Sequence, residues 1–207
     1  MFEHELFIVS SYGILGAGIK YIDQAYDIRV FSKTNANVAA VLCSLLMAYL
    51  IITDPPSTII FLAMIIALAI TRKIDNIAFY VGIAIILLLP IIFNSLIKMN
   101  WLPFGVLAIS GILDELGNDW ADKRTKNGRV KKHGIAQNEP IYKFAEKFFI
   151  YRFAMKVAIL LLVVLGFFDW IYFFAFLLFD LMYVLIDAYS TSIKIYSINK
   201  AITPTTK

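Results

Sequence analysis

The sequence predicts an all-α membrane protein, a polytopic helix bundle of about seven transmembrane helices. Hydrophobic residues make up 60% of the 207 and charged residues only 16%, where soluble globular chains carry roughly 45 to 50% and about 25%. Apolar runs approaching the roughly 20 residues of a bilayer crossing recur along the whole chain. When those runs alternate in direction, only Lys98 of the 19 Lys and Arg residues falls on the side that carries the N-terminus.

The runs fall near 6–26, 37–53, 57–71, 76–98, 101–117, 153–168 and 170–192. The first follows an acidic N-terminus with Glu3 and Glu5 and no small-residue cleavage pattern, so it is expected to be a permanent helix rather than a secretory signal. The second and third are short and joined by Asp54-Pro55-Pro56, which leaves two full spans or a re-entrant hairpin open over 37–71. Either way the chain returns to the same side, and topology is unchanged. Basic loops stay in the cytoplasm. The N-terminus is therefore expected outside and the C-terminus cytoplasmic. A sequence pI near 9.0 then needs no nucleic acid, because a lysine-rich cytoplasmic face suits anionic lipid head groups.

One long basic segment, 118–150, separates the fifth and sixth runs. Within it Ile141, Phe144, Ala145, Phe148 and Phe149 recur at helical spacing with charges between them, which predicts an amphipathic helix on the cytoplasmic surface. Phe167, Phe168, Trp170, Tyr172, Phe173 and Phe174 flank the outer turn before the last run and read as an interfacial belt. Tyr12-Gly13 and Phe104-Gly105 open similar strings that end in carboxylates. The third and seventh runs end at Asp75 and Asp187. These features suggest a parallel 3+1+3 repeat.

Ionisable residues inside spans are costly, and they pair, face the bundle interior or line a pathway. At about 100° per residue, Lys20, Asp23 and Asp27 share a face of the first span. Asp114, Glu115, Asn118, Asp119 and Asp122 share one of the fifth, and Asp180, Tyr183, Asp187, Ser190 and Lys194 one of the last. Carboxylates gathered in a low dielectric must be protonated, paired with cations or bridged by a metal. Mg²⁺ (or Mn²⁺) favours such hard oxygen ligands and shares its shell with substrate phosphate. Asp114, Asp119 and Asp122 are the expected ligands of one cation, and Asp23 and Asp27 of a second or shared one. A set of interhelical salt bridges is the structural alternative.

The segment Asn118-Asp119-x-x-Asp122, at the cytoplasmic end of a span and followed by a basic loop, resembles the first aspartate-rich motif, N-D-x-x-D-x-x-x-D, of the UbiA family of intramembrane prenyltransferases. Tyr189-Ser190-x-x-Ile193-Lys194 is similar to that family's Y-S-x-x-L-K stretch. The resemblance covers about 76–199. It implies an all-helical enzyme that binds a polyprenyl diphosphate through Mg²⁺ and passes the prenyl group to an acceptor. The chain departs from the family where Lys126 replaces the motif's last aspartate, in its length, and in lacking D-x-x-D-x-x-G-D after Tyr189.

The expected function is a Mg²⁺-dependent membrane enzyme acting on an isoprenoid or lipid (di)phosphate at the cytoplasmic face. Lys123 or Lys194 would neutralise the leaving phosphate, and Asn118, Arg124, Asp187 and Tyr189 would contact substrate. The alternative is a small seven-helix transporter, or a cation or proton pathway, built on the same carboxylates. With one cysteine, Cys43, and two histidines, His4 and His133, a disulfide framework, thiolate cluster or His-rich zinc or haem site has no material within one chain. The motifs of CDP-alcohol phosphotransferases, nucleotide hydrolases, zinc proteases and serine hydrolases do not occur.

Overall fold

The computed structural model describes residues 2–74, 76–93, 99–130, 144–145, 147–149 and 152–202. Asp75, His133 and residues 140–143 and 146 of the predicted amphipathic helix lie outside them, as do the side chains of Asp122 and Arg124, while residues 144–145 and 147–149 are helical. Among the described residues there are seven helices: α1 (Phe2–Asp27), α2 (Lys33–Thr53), α3 (Pro55–Ile70), α4 (Ile77–Ile92), α5 (Trp101–Val130), α6 (Phe153–Val164) and α7 (Trp170–Ile202). Within these, Glu3–Asp27, Lys33–Thr53 and Trp170–Ser197 are long and apolar enough to cross a membrane. Large apolar side chains such as Leu42, Leu88, Ile92 and Leu165 are exposed, as a lipid-facing surface requires. The protein is a helical membrane protein.

Three apolar helices are shorter than a crossing. The 16 residues of α3 and of α4 span about 24 Å at 1.5 Å per residue, and the 12 of α6 about 18 Å, against a hydrocarbon core of about 30 Å. The chain breaks between α2 and α3 because a residue before proline is pushed out of the helical region. Asp54 is extended, at φ −131°, and Pro55 opens α3, where its missing N–H costs nothing. In the long basic segment, residues 118–130 are the continuation of α5. Good helix formers such as Ala121, Lys123 and Arg124 carry the helix on past the apolar run.

The helices sort into two compact units that alternate along the chain. The first comprises residues 1–54, 75–96 and 174–207, and the second 55–74 and 97–173. This interleaving differs from the sequential three-span units of the expected repeat, since α3 belongs with α5 and α6 and not with α1 and α2.

In the first unit α2 packs on α1 and α4. Ala36, Ala40, Ser44 and Ala48, four residues apart, are all buried, a small-residue stripe that lets helix backbones approach. Ile22, Ala40 and Ala78 join the three helices in one core cluster. Where α7 meets α1, the carbonyl of Phe179 occupies the space a side chain at Gly16 would need. Only glycine fits there.

In the second unit α3 and α6 both pack on α5. Ile60, Phe61, Leu107, Ile159 and Leu162 form fully buried positions of that unit. Helices α3 and α6 end alike. Arg72 N–H donates to Ala69 and Lys73 N–H to Leu68, and Gly166 N–H donates to Val163 and Phe167 N–H to Leu162, which is the Schellman pattern. The left-handed position is glycine in one case (φ 79°) and Arg72 in the other (φ 56°).

Candidate functional site

Each unit holds one cluster of ion pairs centred on a lysine. In the second unit Lys73, delivered by the turn that ends α3, lies 3.1 Å from Glu115 Oε2 and 2.6 Å from Asp119 Oδ1. These acids are four residues apart on α5, hence on one face. Arg152, immediately before α6, reaches Glu115 Oε1 at 3.3 Å. The Glu115 side chain is 7% exposed and that of Asp119 41%. Burial alone would lower the pKa of the Lys73 ammonium, but Asp119 and Glu115 more than offset it and hold the group above the ordinary lysine range.

Asp114, one residue before Glu115, turns to a different task. Its Oδ1 accepts the N–H of Ala154 at 2.9 Å and its Oδ2 the N–H of Met155 at 2.7 Å. Arg152, at the N-cap of α6, makes no side-chain cap bond, so a carboxylate from α5 satisfies two donors that its own sequence leaves open. Both Asp114 oxygens are committed to fastening α6. On the same side of α5, the Phe149 ring fills the space beside Gly117 and meets Trp120 edge-on.

In the first unit Lys20 lies 2.9 Å from Asp23 Oδ2, one turn along α1, and 3.0 Å from Asp187 Oδ1 on α7. Gln24 Nε2 donates to the same Asp187 oxygen at 2.7 Å. The Lys20 ammonium also stands over the Tyr183 ring, 4.9 Å from its centroid, and Ser190 Oγ donates to the Asp187 carbonyl.

The sequence-predicted site residues therefore divide. Lys20, Asp23 and Asp187 come together, and Asp119 joins Glu115 on Lys73, whereas Asp114 is turned toward α6. Asp27 is exposed at the end of α1, and Lys123 and Lys194 are exposed on α5 and α7. Tyr189 is exposed and stacks with Phe31 at 6.4 Å between centroids. Asn118 is half-buried. Among the described residues no three His, Cys, Asp or Glu side chains converge to hold a metal ion. Asp23, Asp187, Glu115 and Asp119 are held by lysine and arginine, as in the salt-bridge alternative that the sequence left open. Lys73, Arg152 and Gln24 were not expected at the centres of these clusters. Helical spacing marks Gln24, four residues after Lys20, but Lys73 and Arg152 lie outside helices and carry no periodic signal.

Compared with known proteins, the chain matches no family model, no curated protein and no solved structure.

Proposed function

We propose that the chain is a membrane enzyme acting on an isoprenoid or other lipid (di)phosphate, prenyl-transfer-like, at the cytoplasmic face. The meeting of Lys73 and Arg152, from two separate segments, at the α5 carboxylates supports this reading best. A diphosphate with an apolar tail requires convergent cations beside apolar helices. Arginine presents a planar fork to phosphate, and lysine a compact charge. Both cations are less exposed than Lys123 and Lys194, and we assign them the binding of the phosphate. Glu115 holds them in place. Asp119, the half-exposed partner, is the carboxylate that a phosphate would displace from Lys73. The likeness of Asn118-Asp119-x-x-Asp122 to the prenyltransferase motif supports the isoprenoid class.

The described carboxylates form no dedicated metal cage. Mg²⁺ takes only one or two carboxylates and otherwise water and phosphate, so it would arrive with the diphosphate, and Asp119 is the acid best exposed to meet it. Binding of a polyprenyl diphosphate to the purified protein, with and without Mg²⁺, tests the proposal. Asp119→Asn is expected to abolish the Mg²⁺-dependent part and Lys73→Gln to weaken all of it. Failure of the unaltered protein to bind any lipid phosphate would end this reading.

The orientation that goes with it has the N-terminus outside, the C-terminus cytoplasmic and seven spans, and rests on the one-sided distribution of lysine and arginine. Reporters fused before Met1 and after Lys207 should report opposite sides. A transporter, or a cation or proton pathway, is the second reading. It is favoured by the Lys20–Asp187 pair, which joins two helices each long enough to cross a membrane. Ion flux into liposomes that is lost on Asp180→Asn, without lipid-phosphate binding, would select it.

A further inference from the structure

The start of α6 gives up its own cap. An N-cap position ordinarily holds a short side chain whose oxygen accepts the first free N–H groups of its helix. Arginine offers only donors, so Arg152 at that position cannot do this and makes no side-chain cap bond. Asp114 of α5 does it instead, accepting the Ala154 N–H at 2.9 Å and the Met155 N–H at 2.7 Å. A cation is thereby left where a capping residue would stand, and its guanidinium reaches Glu115 at 3.3 Å.

The backbone there is uncommon as well. Arg152 is left-handed, at φ 50° and ψ 53°, where an N-cap is typically extended and a residue with a Cβ is disfavoured. Such a conformation persists only where its surroundings over-determine it. On one side the Arg152 N–H donates to the Phe149 carbonyl at 3.1 Å, and the Phe149 ring fills the space beside Gly117. On the other side Asp114 grips two of the N–H groups that follow. Asp114 and Gly117 lie one turn apart on α5, so one helix fixes the chain on both sides of Arg152. Glu115 follows Asp114 directly, which ties the cap to the carboxylate that the guanidinium meets.

We infer that Asp114 is a positioning residue: by capping α6 from α5 it sets the left-handed Arg152 in the place from which its guanidinium meets Glu115 and the phosphate. Its part in ligand binding rests on the lipid-phosphate reading, whereas its hold on the Arg152–Glu115 pair does not. Asp114 touches no phosphate itself, because both of its oxygens are taken by backbone N–H groups. It acts through Arg152.

The test is a pair of double-mutant cycles on the full-length protein in detergent. Binding of farnesyl diphosphate is measured well below the melting temperature of every variant. Asp114→Asn keeps one acceptor, so the start of α6 is loosened rather than lost, and affinity should fall about tenfold. Arg152→Gln should weaken binding at least as much, and adding Asp114→Asn to it should change affinity by less than about twofold. Leu162→Ala, at a buried position later in the same helix, should lower the melting temperature and leave affinity unchanged. Additive losses, or an equal loss in Leu162→Ala, would overturn the inference, since either would mean that Asp114 serves the fold alone. If the unaltered protein binds no farnesyl diphosphate, the lipid-phosphate reading fails, and the second cycle decides the positioning role without ligand. Coupling between Arg152→Gln and Glu115→Gln in denaturant unfolding should be about tenfold in the unfolding constant, and about twofold or less once Asp114→Asn is present. Undiminished coupling would overturn the inference. Should Asp114→Asn not fold, Asp114→Glu, which keeps both oxygens on a longer side chain, takes its place with a smaller loss of the same pattern, and no loss in either cycle would overturn it.

Discussion

Lys20 and Lys73 each bridge two acids, but they arrive by different routes, and the outcomes differ. Lys20 is carried by a helix, so it reaches one acid a turn away on its own helix and one on α7. Lys73 is carried by a turn, stands off the end of α3, and meets two acids a turn apart on a facing helix. The second arrangement leaves the far side of Glu115 open to another cation, and Arg152 takes it. Lys73, Arg152, Glu115 and Asp119 therefore balance in charge, whereas Lys20 is shared between Asp23 and an Asp187 whose side chain is 49% exposed.

This contrast is open to direct attack. Removing the most enclosed acid should do the greatest harm. Glu115→Ala strands Lys73 and Arg152 together and should cost about 3–5 kcal/mol in unfolding free energy, while Asp187→Asn, at a side chain 49% exposed, should cost at most about 1 kcal/mol. Equal costs in a denaturant titration would erase the distinction between the clusters. Asp114→Ala leaves two N–H groups of α6 without an acceptor and should cost about 2 kcal/mol, with hydrogen exchange quickening first at Ala154 and Met155.

Alkaline pH should weaken the Lys73 cluster. The pKa of Lys73 is raised in the folded state, so its contribution is complete below the unfolded lysine value near 10.4. It is lost as pH climbs through the higher folded value. A melting curve followed above about pH 10 should show this loss, and Lys73→Met should reduce the pH-dependent part by the share that Lys73 contributes. The smallest effect concerns the paired helix ends. Arg72→Gly relieves a left-handed backbone at the turn that places Lys73 and should stabilise by about 1 kcal/mol, whereas Gly166→Ala should destabilise by about the same amount. A loss of stability in Arg72→Gly would show that the arginine side chain contributes more than its backbone costs.

The sequence foretold the helical class and the polar faces because both are periodic: apolar runs reveal helices, and 100° steps align Lys20 with Asp23. It also foretold the break at Asp54, since proline acts locally. The length of α5 was less legible, because its apolar run ends near residue 117 while charged residues, which are good helix formers, continue the helix through 118–130. Pairing was the least legible feature. That Asp114 would serve α6 while its neighbour Glu115 held Lys73 and Arg152 depends on which helices touch. No pattern within α5 encodes that.

The interleaving of the two units has a consequence for synthesis. The first unit cannot be completed until α7 emerges, because Asp187 follows Lys20 by most of the chain length, whereas Asp23 emerges with Lys20. A lone lysine in an apolar helix opposes entry into the bilayer by about 2.5–3.5 kcal/mol. The short-range Lys20–Asp23 pair offsets much of that charge while α1 waits, and Asp187 then joins an ammonium already held in place. Asp23 thus works as an escort during insertion as well as a partner afterwards. Asp23→Asn should lower the fraction of nascent α1 that inserts, and Asp187→Asn should leave that fraction unchanged.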